Sequence, residues 1–201
     1  MTHSHHYNVT RGFGFLETVL AKKRAAIAQE LIDPAKRSGR VLDIGCGSFP
    51  YFLTTTHFSE KYGVDGGINE SLFHDLTIKL KKLNVETERL PFKNDFFDVV
   101  VMLAVFEHIH PQFIDKVLVD IFHTLKKDGQ LIITTPSQQS VPVLWTLSRI
   151  GLISKVEIDD HKNSYALGKI KSFLTHAGFQ SENIASGRFE LGFNMWFVAR
   201  K

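Results

Sequence analysis

The chain has 201 residues, 43% of them hydrophobic and 22% charged, with a formal net charge of +3 at pH 7. This composition is typical of one globular domain; it excludes a wholly disordered chain, and its modest charge argues against nucleic acid as the partner. The single cysteine, Cys46, excludes an intrachain disulfide and a thiolate-rich metal site. The apolar stretch 141–153 is too short to span a bilayer, so we expect no membrane span. A chain with one cysteine is typical of a reducing compartment, and we expect a cytoplasmic protein. We also expect no bound metal.

The first half of the chain alternates predicted helices and short strands. Asp33-Pro34 ends the first helix, and Gly45 closes the first apolar run. The pattern over 71–87 fits both the helical and the strand period, and we favour a short helix followed by a strand. In chain order, the predicted elements are a helix over 13–32, a strand over 40–44, a helix over 50–57, a strand over 61–65, and a strand near 83–86.

The second half continues this alternation and then changes it. The predicted elements are a strand over 97–103, a helix over about 111–126, a strand over 130–135, helices over 141–153 and 169–177, and strands over 182–185 and 189–199. Strands that alternate with helices predict a mostly parallel sheet covered on both faces. No helix separates the last two strands, which predicts an antiparallel hairpin at the end. The sequence therefore predicts one α/β domain with three layers and seven strands.

A glycine turn and two aspartates indicate a nucleoside site. Gly45 and Gly47 follow a strand, where glycines allow a ligand to approach the backbone closely. Asp65 ends the next strand and is placed to accept hydrogen bonds from both ribose hydroxyls. Dinucleotide enzymes share this pattern, but here Pro50 occupies the position of their third glycine, and Asp43 would repel a pyrophosphate. A nucleotide-dependent oxidoreductase is therefore disfavoured.

Five segments in order carry a family resemblance. They are VLDIGCG at 41–47, GVD at 63–65, LPF with FFDVVV over 90–101, AVFEHI at 104–109, and LKKDGQLIITTP at 125–136. In this order and spacing they resemble the motifs of class I S-adenosylmethionine-dependent methyltransferases, which have a Rossmann-like fold, and in particular the small-molecule branch. The resemblance implies S-adenosylmethionine as cofactor and S-adenosylhomocysteine as product.

The resemblance also implies a role for each cofactor-site residue. Asp43 neighbours the ammonium group of the methionine moiety, and Asp65 holds the ribose hydroxyls. The remaining contacts are Gly45, Cys46 and Gly47 at the amino-acid end, Ala104 beside the methionine portion, Glu86 at the adenine amine, and Thr87 through its amide at the ring.

Two histidines are the candidates for acceptor chemistry. His108 follows the fourth strand, where it would either take a proton from a hydroxyl acceptor or position the cofactor. His161 is the second candidate, because many similar enzymes have a histidine at this place that faces the acceptor pocket. We expect 137–165 to be an acceptor-side insertion, and its apolar segment favours a small apolar or aromatic acceptor, methylated on oxygen. We expect 1–37 to form an N-terminal helical cap.

Two other functions stay open. One is a SAM-binding partner or regulatory protein that has lost turnover. The other is an RNA methyltransferase, which would need its lysines gathered on one face beside the pocket: Lys79, Lys81, Lys82, Lys126 and Lys127.

Overall fold

The computed structural model describes residues 15–68, 77–138 and 165–201. The helices are α1 (Phe15–Leu31), α2 (Tyr51–Thr55), α3 (Pro111–Thr124) and α4 (Leu167–His176). The strands are β1 (Arg40–Ile44), β2 (Glu60–Asp65), β3 (Ile78–Lys82), β4 (Phe97–Leu103), β5 (Leu125–Pro136), β6 (Ile184–Phe189) and β7 (Asn194–Arg200). The helix predicted over 141–153, most of the predicted insertion, and His161 lie outside the described residues.

The seven strands form one sheet in the order β3-β2-β1-β4-β5-β7-β6. The first five strands are parallel to one another, whereas β7 is antiparallel to both β5 and β6. The predicted sheet with its antiparallel C-terminal hairpin is therefore confirmed. None of the described helices is long and apolar enough to cross a membrane.

Both faces of the sheet are covered, which explains why its central strands are continuously apolar. Val99, Val100 and Val101 are consecutive in β4, and all three are fully buried. Val100 packs in the cluster that also contains residues of α3 and α4, while Val99 and Val101 pack in the cluster that contains residues of α1 and α2. The sheet thus holds the carboxyl ends of β1, β2, β4 and β5 in one fixed row.

The strand predicted near 83–86 is wrong, because the third strand lies earlier, at Ile78–Lys82. Among the described strands β3 pairs only with β2, at the edge of the sheet, and Lys82 lies opposite Asp65. Ile78 is the one buried residue of this strand, and the strand signal in the sequence is the alternation of apolar residues with lysines. Leu83 packs in the core, and the chain then turns.

Two further boundaries differ from the predictions. Helix α3 ends at Thr124, because Leu125 is extended, buried, and paired with Phe97 as the start of β5. In the hairpin, Gly187 lies inside β6 rather than between the strands. A Cβ atom at Gly187 would lie 2.5 Å from the Trp196 ring, so this glycine makes room for that side chain.

Candidate active site

The predicted cofactor residues meet at the carboxyl edge of the sheet. Asp43 is on β1, which leads into Gly45 and Gly47, while Asp65 ends β2 and Ala104 follows β4. Since β1 lies between β2 and β4, these three strand ends are neighbours. Ligands of open α/β sheets bind at such carboxyl ends.

The backbone of the glycine turn has a conformation that residues other than glycine rarely adopt. Both Gly45 and Gly47 have φ of +73°, in the left-handed region. The Gly45 N–H donates to the Val64 carbonyl oxygen at 2.8 Å, which ties the turn to β2. A Cβ atom at Gly45 would lie 2.3 Å from Val105 Cγ2, whereas the nearest atom to a Cβ at Gly47 would be the Phe49 oxygen at 3.9 Å. The turn is therefore closely packed at its start and open at Gly47.

Asp65 joins two loops through its carboxylate. This side chain is buried, and it accepts hydrogen bonds from the Gly47 N–H at 3.0 Å and the Gly67 N–H at 2.7 Å. A carboxylate offers about four lone-pair sites, so a carboxylate at this strand end is chemically suited to accept from hydroxyl groups as well as from backbone N–H groups. The geometry thus fits a ribose diol at Asp65 and explains why the turn is held in place.

Asp43 is a buried acid beside a second buried acid. Burial raises the pKa of the Asp43 carboxyl well above its ordinary value, and the negative charge of Asp65 raises it further. Among the described residues, no cationic side chain pairs with Asp43. A cationic ligand group would relieve this unfavourable charge, as the ammonium of a methionine moiety would. The two acids therefore fit the predicted cofactor.

We expect the Asp43 carboxylate to lower the stability of the folded protein while it strengthens the binding of the cofactor. Its folded-state pKa lies above the unfolded value, so the stability that the group contributes is present at low pH and lost as pH rises through the folded pKa. We expect Asp43→Asn to unfold at a higher temperature than the wild type above that pH, with a shift of about 2–4 °C for each kcal/mol, and to bind S-adenosylmethionine more weakly. Thermal melts from pH 4 to 9 would check this.

The matched control is Asp115→Asn, since Asp115 is an exposed acid on α3. It should leave both the pH dependence and the cofactor affinity unchanged. If the difference in melting temperature between the wild type and Asp43→Asn is the same at every pH, the proposed charge repulsion is contradicted.

Cys46 and Ala104 differ in what they offer a ligand. Cys46 is buried with Leu53 in the core, and burial raises the pKa of its thiol, so it is a packing residue rather than a nucleophile. Ala104 is half-buried and has φ of +57°, a conformation that costs a non-glycine residue about 1–2 kcal/mol. Its N–H donates to the Thr134 carbonyl oxygen at 2.9 Å, which holds the strained turn at the end of β4.

Glu86 and Thr87 lie at the same edge, in the turn that follows β3. Glu86 Oε1 accepts a hydrogen bond from the His110 N–H at 2.6 Å, at the start of α3. The Thr87 N–H donates to the Asn84 carbonyl oxygen at 3.2 Å. Both groups thus have protein partners, and their predicted adenine contacts stay predictions.

The segment after β4 contains the predicted His108 and an acid that the sequence analysis missed. His108 is half-buried in a short 3-10 turn, and its N–H donates to the Val105 carbonyl oxygen at 3.0 Å. Glu107 is buried, and its Oε2 accepts from the Thr135 hydroxyl at 3.0 Å. Its Oε1 has no hydrogen-bond partner among the residues with described positions. Burial and the hydrogen bond from Thr135, which is 28 residues away in sequence, distinguish this acid from a surface glutamate, and neither is visible in the local sequence.

Comparison with known proteins identifies a family that matches most of this chain. A sequence model of the family described as "Methyltransferase domain" matches residues 14–184. An uncharacterized protein of Methanocaldococcus jannaschii is 32% identical over 106 residues, which are 53% of this chain. The matched part spans 44% of that relative's length.

Solved structures share the fold at low sequence identity. A chain of the complex between the Haloferax volcanii Trm112 methyltransferase activator and a proposed methyltransferase superposes with a TM-score of 0.70 at 15% identity, covering 92% of this chain and 93% of that one. A SAM-dependent methyltransferase from Archaeoglobus fulgidus gives a TM-score of 0.65 at 19% identity, covering 92% and 94%.

Proposed function

Since this chain belongs to the methyltransferase-domain family, we propose that it transfers the methyl group of S-adenosylmethionine to a small-molecule acceptor, with oxygen as the favoured target atom. The observation that carries this proposal is the pair of buried acids, Asp43 and Asp65, on either side of the glycine turn. One acid suits an ammonium group and the other a ribose diol, and S-adenosylmethionine presents both.

The bound cofactor would supply a methyl group that is already activated on a sulfonium, so the residues of this chain mainly bind the cofactor and orient the acceptor. Asp43 pairs with the ammonium, and Asp65 accepts from the ribose hydroxyls while it holds the Gly47 N–H. In-line alignment of the acceptor supplies a large part of the acceleration. The other proposed cofactor contacts are Gly45, Cys46, Ala104, Glu86 and Thr87.

A hydroxyl acceptor also needs a group that takes its proton. His108 and His161 are the proposed candidates, and His161 lies outside the described residues. Glu107 is a third candidate, because a buried carboxylate oxygen without a partner is a proton acceptor at the end of β4. We keep 137–165 as the proposed acceptor-side insertion and 1–37 as the proposed cap of a single domain.

An RNA substrate is disfavoured by the positions of the lysines. Lys79 is on the edge strand β3 and contacts Glu60 at 2.8 Å. Lys126 contacts Asp98 at 2.7 Å near the amino edge of the sheet, opposite to the cofactor residues. Strands β3 and β5 are four positions apart in the sheet, about 19 Å. These lysines therefore do not form one basic surface beside the site.

A second candidate is a methyltransferase subunit that needs a partner protein. The observation that favours it is the similarity to a chain from a complex with an activator protein. Turnover by the isolated chain would argue against this candidate. Cofactor binding without turnover on any acceptor would favour it, or the regulatory protein that has lost turnover.

Calorimetric titration with S-adenosylmethionine, S-adenosylhomocysteine and NADH tests the proposal. We expect the two sulfur nucleosides to bind with dissociation constants of about 1–100 μM, and NADH not to bind. Because the pKa of the Asp43 carboxyl is raised, binding of the ammonium should release protons, so the measured enthalpy should depend on the ionisation enthalpy of the buffer. Lack of binding by both sulfur nucleosides would refute the proposed function.

A further inference from the structure

The turn that follows β3 is shaped by hydrogen bonds of its own, and Asn84 is at their centre. The Asn84 side-chain oxygen accepts from the Glu86 N–H at 3.0 Å, and the Asn84 N–H donates to Glu88 Oε1 at 2.9 Å. The Asn84 carbonyl oxygen also accepts from the Thr87 N–H at 3.2 Å and from the Glu88 N–H at 2.9 Å. These bonds fix the shape of residues 84–88, but they do not fix where the turn lies on the fold.

The turn begins beside the acid that we propose for the ribose. The Leu83 N–H, directly before the turn, donates to the Asp65 carbonyl oxygen at 3.1 Å. Leu83 is buried in the core, whereas Glu86 is half-buried and Thr87 is exposed. A nucleoside base is joined directly to its ribose, so a base whose ribose is held by Asp65 can reach this turn.

Lys116 of α3 holds the turn at two backbone positions. Its Nζ donates to the Val85 carbonyl oxygen at 2.8 Å and also to the Glu88 carbonyl oxygen. The third neighbour of the ammonium is Asp120, one helical turn further on, with Oδ2 at 3.2 Å. A lysine ammonium has three N–H donors, and three protein oxygens lie against it here. Lys116 therefore binds the turn, and Asp120 compensates its charge.

A second contact fixes the direction of the turn. The His110 N–H, at the start of α3, donates to Glu86 Oε1 at 2.6 Å. From His110 to Lys116 the helix rises about 9 Å. Two contacts this far apart prevent the turn from pivoting on the helix, which a single contact would allow. The two contacts together hold the Glu86 carboxylate at the carboxyl edge of the sheet.

We propose that Lys116 is a positioning residue that places the Glu86 carboxylate for the adenine amine of S-adenosylmethionine, and so makes the site selective for a 6-aminopurine. This inference rests on the proposed function, because it concerns the adenine end of the same cofactor site. The adenine amine donates hydrogen bonds, and a carboxylate accepts them. Lys116 does not touch the ligand in this arrangement and acts through the turn.

A purely structural role for Lys116 would have a different consequence. If the ammonium only stabilised α3 through Asp120, its loss would lower the melting temperature and leave the discrimination between purines unchanged. Discrimination between two bases that differ at the amine reports on the placement of Glu86 and not on the stability of the helix. The selectivity of binding is therefore the measurement that separates the two roles.

The test compares S-adenosylhomocysteine with S-inosylhomocysteine, in which an oxygen replaces the adenine amine, by calorimetric titration of the full chain. We expect the wild type to bind the adenine compound at least about tenfold more tightly, because the inosine compound places an oxygen against the Glu86 carboxylate. Lys116→Met should reduce this preference to about threefold or less, through weaker binding of the adenine compound. Lys116→Arg keeps donors for the two carbonyl oxygens and should retain most of the preference.

Lys201→Met is the matched control. Lys201 Nζ also contacts a backbone carbonyl oxygen, that of Leu125 at 2.7 Å, and an acid, Asp95 at 2.8 Å, but at the opposite edge of the sheet. Its loss should leave the preference unchanged. Glu86→Ala should remove the preference. In that background Lys116→Met should weaken S-adenosylhomocysteine binding by less than about twofold, because both changes remove the same contact.

Each other outcome has a separate meaning. An unchanged preference in a folded Lys116→Met variant would overturn the positioning role, and a thermal melt establishes that the variant is folded. If Lys116→Met is unfolded, Lys116→Gln replaces it with the same expected result. Equal binding of the two compounds by the wild type would overturn the adenine contact of Glu86, and with it this inference. If the wild type binds neither compound, the proposed function itself fails.

Discussion

Gly45→Ala is expected to lower the affinity for S-adenosylmethionine by about a hundredfold, or about 2.7 kcal/mol. Two effects act together. An alanine at φ of +73° costs about 1–2 kcal/mol. Its Cβ would also lie 2.3 Å from Val105 Cγ2, and such overpacking typically costs about 1–3 kcal/mol. The turn must move to relieve this contact, and its backbone then leaves the position that the ligand requires. Calorimetry and a thermal melt of the same sample would measure both losses.

Two further variants separate strain from collision. Gly47→Ala has the same φ of +73° but meets no atom closer than 3.9 Å, so it should show the backbone strain without the collision. Adding Val105→Ala to Gly45→Ala removes the two methyl groups that collide and should restore part of the stability. Equal losses in Gly45→Ala and Gly47→Ala would show that the contact with Val105 has no effect.

Asp65→Ala is expected to weaken cofactor binding by about 1.5–3 kcal/mol, or about 10–150-fold, through the loss of charge-assisted hydrogen bonds. The same change leaves the Gly47 and Gly67 N–H groups without their acceptor, so the turn also loses a restraint. Asp65→Asn keeps one acceptor oxygen and should fall between the alanine variant and the wild type. Calorimetric titration of folded protein would rank the three.

Glu60→Gln is the matched control for Asp65, because Glu60 begins the same strand at the opposite edge. Its carboxylate contacts Arg40 at 2.6 Å and Lys79 at 2.8 Å, and the pKa of this carboxyl is lowered to about 2 by these partners and the Tyr62 hydroxyl. Its loss should leave cofactor affinity unchanged. Unchanged affinity in a folded Asp65→Ala variant would refute the ribose assignment.

The central strands and the family were predictable, and both predictions are confirmed. The run Val99-Val100-Val101 is apolar because β4 is buried on both faces. Such a run can be recognised in the local sequence, without knowledge of the strands that pair with it. The edge strand β3 was misplaced because only one side of it is buried, so lysines interrupt its apolar pattern. The local sequence predicts a break at Gly187, because the role of this glycine in making room for Trp196 depends on a residue of another strand.

The glycine turn and its acids were predictable because their spacing is local. Glu107 was not, because its burial and its bond to Thr135 depend on β5, which is 28 residues away in sequence.

The proposed roles of the two buried acids have a consequence for competition between the cofactor and the reaction product. In the proposed binding mode Asp43 contacts the ammonium and Asp65 contacts the ribose, and methyl transfer changes neither group. The product therefore keeps the contacts with both acids and loses only the sulfonium charge and one methyl group. We therefore expect inhibition by S-adenosylhomocysteine, so that the ratio of the methyl donor to its demethylated product, rather than the donor concentration alone, controls how much of this protein can react.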